Sequence, residues 1–277
     1  MALTKVLITV KTYPTLSEKY DELVCTAGFR EDGSWIRIFP VPFRKLDYEN
    51  RYEKWQWIEI DLVKNTSDFR PESYRPANLD KEIRILNKVN TKGDWGIRRN
   101  ITLRNVYTNL SDLITEAKDA EKGVSLAVLK PTKVIDFIWE QCEREWNKKK
   151  LEIVFANQAQ GSLFNVEETK QFFKVVNKVP YKFSYVFTTE DNIQRTLMIE
   201  DWELGMLYWN CLFKAKGNEL EACKKVREKF FDYMCKERDL HFFMGTTKQF
   251  HNVAPNPFII IGTFYPPKIG YQQLKLF

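Results

Sequence analysis

The stretch Tyr20 to Arg44, YDELVCTAGFREDGSWIRIFPVPFR, limits the fold more than any other. Leu23, Cys25 and Ala27 alternate on one arm. Trp35, Arg37 and Phe39 alternate with Ile36 and Ile38 on the other. The Asp32-Gly33 pair between two such arms is a strong hairpin signal, because glycine accepts the positive φ of a tight turn. Pro40 and Pro42 are expected to end the second arm, since proline donates nothing to a sheet ladder. Val6–Val10 (VLITV) and Trp55–Val63 (WQWIEIDLV) add two more β-rich runs, which gives a curled antiparallel sheet.

The 277 residues suit one large or two ordinary domains. Hydrophobic residues make up 44%, enough for a sizeable core. No apolar run reaches the ~18 residues of a membrane span. The start, MALTKVLITV, lacks a cleavage pattern and reads as a first strand. Five cysteines without a CxxC spacing, in a chain read as cytoplasmic, imply reduced thiols and no zinc site. The net charge of +6 permits a nucleic-acid partner without requiring one.

That charge is concentrated. Residues 64–104 hold ten cations and five anions, so this segment supplies +5 of the +6. Arg70, Arg75, Arg98 and Arg99 lie here among Tyr74, Trp95 and Tyr107, a mixture that suits phosphate contact and base stacking or a solvated, salt-bridged loop.

Downstream, Ser111–Ala120 reads as a short helix capped by Ser111. Val124–Val128 and Val134–Ile138 read as strands that, with the first four, close a small barrel by about residue 140. Glu140–Lys150 is a charged helix end or linker. The polar run Asn157–Ser162 places a domain boundary near 150–165, dividing the chain into 1–150 and 165–277. The second part holds a helix over Glu167–Val176, a hairpin of Tyr181–Thr188 and Gln194–Ile199, and two amphipathic helices, Asp201–Phe213 and Glu219–Lys236. Strands Leu240–Met244 and Phe258–Phe264 follow. On the first amphipathic helix Trp202, Met206, Trp209 and Phe213 form one apolar stripe, widened by Leu204, Leu207 and Leu212. The fold class is α+β: a small antiparallel barrel in the first half, then a mixed sheet with two amphipathic helices.

The densest carboxylate group is Glu200-Asp201-Trp202-Glu203. With His241 it supports one enzymatic alternative, a magnesium-dependent nuclease or nucleotide-processing enzyme acting through Asp201, Glu203 and His241. Helix capping explains the same acids without catalysis. His251, beside Lys248 and Gln249, suits ligand contact or a structural role better than catalysis. No nucleophile triad, phosphate loop or zinc-protease motif is readable.

Several strings occur together: Lys11-Thr12-Tyr13-Pro14, Glu22–Gly28, Trp35–Arg44, Gln56-Trp57-Ile58, Asp201-Trp202-Glu203 and Phe264-Tyr265-Pro266-Pro267. They resemble a prokaryotic dual OB-fold domain family associated with mobile and anti-phage defence neighbourhoods. The resemblance runs along nearly the whole chain and implies OB-like barrels. It carries no catalytic residues over. A Cys/His group found in relatives before Asp-Trp-Glu is missing from Thr188–Asn192. The implied activity is binding of nucleic acid or a nucleotide without catalysis and without a cofactor, within a defence system. The expected platform is Lys11, Tyr13, Trp35, Arg37 and Arg44, with Arg70, Arg75, Arg98 and Arg99 as a basic rim. Arg37 shares a strand face with Trp35 and Phe39, opposite Ile36 and Ile38; a ligand surface or a buried ion pair with Glu59 or Asp61 accounts for it. The other alternative is a protein–protein adaptor whose aromatic second half docks a partner of the same system. No membrane association is expected.

Overall fold

The computed structural model describes residues 3–17, 21–41, 43, 46, 51–78, 83–160 and 175–269. The helix expected over Glu167–Val176 lies almost wholly outside the described residues, and so does Arg44.

The hairpin forms as its alternation requires. Strand β3 (Asp21–Phe29) pairs antiparallel with β4 (Trp35–Val41), Phe29 facing Trp35 and Gly28 facing Ile36. Gly33 turns the chain at φ 85°. β4 continues through Pro40 to Val41, past the expected stop. The register shifts between Val24 and Thr26 opposite it, and an irregularity of this kind tolerates a missing N–H.

Around the hairpin, β1 (Thr4–Lys11) pairs with β3 and with β5 (Gln56–Ile60), while the short β2 (Thr15–Ser17) adds to β3. β6 (Leu62–Lys64) pairs with β7 (Ser73–Pro76), which lies parallel to β4, and β8 (Arg84–Lys88) pairs with β5. Only Asp61 separates β5 from β6. That single run therefore bonds to β1 at one end and to β7 at the other, and the sheet curls. Its concave side buries Val6, Ile8, Ile36, Ile38, Ile58 and Ile60.

Helix α1 (Gly96–Thr102) follows the first sheet, and the second half begins with β9 (Val106–Tyr107) and α2 (Leu110–Lys118). Asn109, the residue directly before α2, caps it by accepting from the Ser111 N–H at 2.9 Å; Ser111 itself lies inside the helix. β10 (Leu126–Leu129) lies between β9 and β14 (His241–Thr246), and β14 pairs with β15 (Phe258–Phe264). β11 (Lys133–Gln141), β12 (Tyr181–Thr188) and β13 (Arg195–Met198) form a second antiparallel sheet. A parallel bridge from Ile199 to Ile260 connects the two sheets. β10 and β11 thus pair with later strands and not with the first sheet. Parallel or antiparallel, a strand joins the partner whose apolar face it shares, and theirs belongs to the Phe183, Phe242 and Phe258 core.

The remaining helices are α3 (Lys148–Gln160), α4 (Trp202–Lys214) and α5 (Glu219–Arg227). α5 runs on through a π-helical turn, Glu228–Tyr233, to Lys236. α4 buries Leu204, Gly205 and Tyr208, whereas Phe213 is 86% exposed. The helix is apolar nearly all round, so its periodicity leaves the buried side open and packing chooses it.

The two halves meet across one continuous surface. Leu7, Phe29 and Trp55 from the first pack on Leu126, Phe243 and Phe264 from the second. Arg37 crosses the same surface. As the alternation predicts, it points away from Ile36 and Ile38, but the second half covers that face and only 2% of the residue is exposed. Its guanidinium donates to Ser73 Oγ (3.3 Å), Ser125 Oγ (2.8 Å), the Ser125 carbonyl (3.1 Å) and the Thr246 carbonyl (3.4 Å). Ser125 Oγ in turn donates to Glu72 (2.6 Å), and Ser73 Oγ to Asp68 (2.8 Å), which supplies the counter-charge. Neither Glu59 nor Asp61 takes part.

Removing one member of a buried charged network strands the others without partners, at a cost of about 3–5 kcal/mol. Arg37→Ala is expected to lower unfolding stability by that order in urea titrations, in place of the isolated binding defect expected of an open platform residue.

Candidate ligand cleft at the junction

The sequence-derived site residues separate into three groups. Arg37, Arg70 and Arg99 are held within the protein. Arg70 is engaged by Asp68 (2.6 Å) and the Thr246 carbonyl, and Arg99 by Asp239 (2.9 Å) and the Pro267 carbonyl. They therefore form no common rim. Arg75 alone of the four rim residues is exposed, on β7. Trp35 is half-buried against Phe29 and Phe243, with ring centroids 4.0 and 5.6 Å away. Tyr13 lies at a separate cavity, treated below.

The third group gathers at a cleft of about 360 Å³ between the halves. Lys11 reaches it from the end of β1, Lys54 and Trp55 from the start of β5, and Trp95 and Arg98 from α1. Trp202 and Glu203 come from the first turn of α4, and Tyr265 from the end of β15. Each side chain arrives at the end of a regular element, so the walls are fixed by sheet and helix packing.

Lys54 organises the floor. It is an ion-pair partner of Asp201 at 3.2 Å and Glu203 at 2.9 Å. The side chains of Lys54 and Asp201 are only 4% and 1% exposed. Burial works against the Lys54 charge, but Asp201 and Glu203 overcome it and hold the ammonium above its ordinary range. Lys54 in turn keeps the Glu203 carboxyl below its ordinary range. Asp201 Oδ1 also accepts from the Glu203 N–H at 2.8 Å as the N-cap of α4. Capping and ion pairing together account for both acids.

Among the described residues Lys11 meets no carboxylate at ion-pair distance. Its ammonium donates to the Tyr52 carbonyl at 3.2 Å and sits over the rings of Phe43 (4.4 Å), Trp202 (5.4 Å) and Tyr52 (5.9 Å). Burial, followed by repulsion from Lys54, lowers its pKa to about 8. Arg98 lies across Trp55 (4.4 Å) and Trp95 (5.2 Å) while Nε and Nη2 donate to the Val89 carbonyl. Among the described residues no acceptor meets its Nη1. Cations under aromatic planes favour an anionic ligand that also has a flat, polarisable part.

His241 is not part of this group. Its Nδ1 is 3.0 Å from the Asp239 carbonyl, and burial lowers its pKa to about 4. His251 is buried, with Nδ1 2.8 Å from Thr246 Oγ1, and is not poised for ligand contact. Among the described residues no three His, Cys, Asp or Glu side chains converge, so Asp201, Glu203 and His241 do not assemble as one metal-ligand set. Sequence patterns alone do not single out Lys54 and Trp202. The available signals were Lys54 immediately ahead of β5 and the ring next to the helix cap.

The fold and cleft define a two-part α+β protein whose halves are joined by buried ion pairs and whose junction offers cations among aromatic rings. The chain belongs to the family described as a domain of unknown function, DUF8757, which matches residues 106–277. A second domain of unknown function, DUF8758, matches residues 2–104. The two matches meet between α1 and β9, where the first sheet and its edge helix end. No curated protein matches the sequence. Among the described residues no helix is long and apolar enough to cross a membrane.

Lys54→Met leaves Asp201 buried without its cation and is expected to cost about 3–5 kcal/mol. Adding Asp201→Asn removes the stranded charge and keeps a capping acceptor. The double variant should recover part of the loss, read as the midpoint of urea unfolding.

Proposed function

We propose that the chain is a nucleic-acid- or nucleotide-binding module that does no chemistry itself, serves a prokaryotic defence system, and is built from two OB-like barrels. The pairing order supports the barrels. In the first half it runs β1–β3–β4–β7–β6/β5 and back to β1, with β4 and β7 parallel. In the second half it runs β11–β12–β13, then by the Ile199 bridge to β15, β14 and β10, with the bridge parallel. β10 leads into β11 after three residues. Both describe five strand runs ordered 1-2-3-5-4-1 with runs three and five parallel, the Greek-key arrangement of an OB barrel. In the second, α4 and α5 fall between runs three and four.

The observation that carries the binding reading is Lys11 held among aromatic rings in the junction cleft, beside Arg98 on Trp55. In an OB barrel the exposed face of the first hairpin would serve as the platform. Here the second half covers that face, so the ligand is assigned to the junction. Phosphate oxygens would meet Lys11 and Arg98, and a base would stack on Trp202 or Trp95.

Fluorescence polarisation with labelled oligo(dT), oligo(rU) and mononucleotides, at low and near-physiological salt, tests this. Salt-sensitive binding weakened about tenfold by Lys11→Gln is the expected result. Lys11 carries its charge below its pKa of about 8. Affinity should therefore hold at pH 7 and fall as the pH rises past that value, with the bound phosphate moving the midpoint upward. Binding that ignores salt, pH and Lys11→Gln would refute the assignment. For the defence role, phage plating on cells with and without the intact gene neighbourhood is the corresponding measurement.

A further inference from the structure

A second cavity, of about 560 Å³, lies on the other side of the Asp201 turn. Glu200 lines it while Trp202 and Glu203 line the junction cleft, so the run 200–203 is the wall between two spaces. Tyr13, Trp146, Tyr181 and Phe183 supply its aromatic walls, and Lys182 stands among its lining residues.

The walls are fixed. The Tyr13 hydroxyl donates to the Asn177 carbonyl at 2.7 Å and accepts from Trp209 Nε1 at 2.9 Å. Its ring presses on Gly205 so closely that a Cβ there would lie 2.2 Å from Tyr13 Cδ2, which explains glycine in the middle of α4. The Tyr181 hydroxyl donates to Glu219 at 2.8 Å. Lys178 is paired with Glu143 at 3.3 Å.

Glu200 differs from all of these. Its N–H is fixed by the Ile260 carbonyl at 2.8 Å, next to the Ile199–Ile260 bridge. Among the described residues its carboxyl meets no cation and no hydrogen-bond donor. Burial raises its pKa, with no charged neighbour contributing. A half-buried carboxyl on a fixed backbone, lining an aromatic cavity and met by no donor among the described residues, is open to a ligand that brings its own donors.

We propose that this cavity is a second binding site, for a planar heterocycle that offers two adjacent N–H donors to the Glu200 carboxylate, the amide–amino edge of guanine. The ring stacks against the tyrosine walls. Two parallel donors satisfy both carboxylate oxygens, which one amino group cannot do. Lys182, exposed and without an ion-pair partner among the described residues, suits the attached phosphate. The choice of a nucleotide rests on the proposed function, whereas the site is separate from the junction cleft.

Isothermal titration of the whole protein with GMP, IMP, AMP and a short guanine-containing oligonucleotide tests it. GMP should bind, and IMP, which lacks the exocyclic amino donor, should bind about tenfold more weakly, with AMP weaker still. Glu200→Gln, which turns one acceptor into a clashing donor, should abolish the preference for GMP over IMP. Equal binding of GMP, IMP and AMP, or binding of neither GMP nor the guanine-containing oligonucleotide, would overturn the proposal using wild-type protein alone. If the oligonucleotide binds with this preference and GMP does not, the base is read within a strand. Oligo(dT) has no such edge and reports on the junction cleft, so loss of one kind of binding identifies which proposal has failed.

Discussion

The structure depends on cations from the first half being buried in the second. Lys54 sits between Asp201 and Glu203, and Arg37 and Arg70 extend into the Ser125 and Thr246 carbonyls. Each charge would be too costly to bury alone, and each is tolerated because the other half brings its acceptors to fixed positions. The halves are thereby held in one register. An apolar surface of Leu7, Phe29, Phe243 and Phe264 supplies the area, and the ion pairs supply the geometry.

This junction also covers the expected platform. The face bearing Trp35 and Arg37 is the surface that a free-standing barrel would present to a ligand. In this chain it is the seam. What stays open lies at the edge of the seam, where Lys11 and Arg98 lie among Trp55, Trp95 and Trp202. The Glu200–Glu203 turn is shared: Asp201 caps α4 and anchors Lys54, while Glu200 and Glu203 face opposite cavities. Ligands proposed for the two cavities would therefore meet the same short stretch of backbone.

Much of the local structure was legible. The Asp32-Gly33 hairpin, the strand Tyr181–Thr188, the cap at Asp201 and the strand Phe258–Phe264 follow from turn chemistry, alternation and capping, which operate over a few residues. The face that Arg37 takes follows from alternation, whereas its surroundings do not. Alternation reports which side of a strand a residue takes, and nothing local reports what covers that side. The basic segment misled for the same reason. Its arginines look solvent-directed in sequence, but Arg70, Arg98 and Arg99 find acceptors in Asp68, Val89 and Asp239.

The sequence by itself determined the elements: most strands and helices, an α+β class, a helix α4 capped by Asp201, and a chain with cations and aromatics to bring together. Tertiary structure alone decided the partners. β10 and β11 joined the second half because their apolar faces complete its core. Lys54 met acids 147 and 149 positions away. The cleft exists because two surfaces, each complete in its own strand pairing, leave a gap where they meet. Contacts of that range are set by how whole elements pack, and no window of sequence contains them.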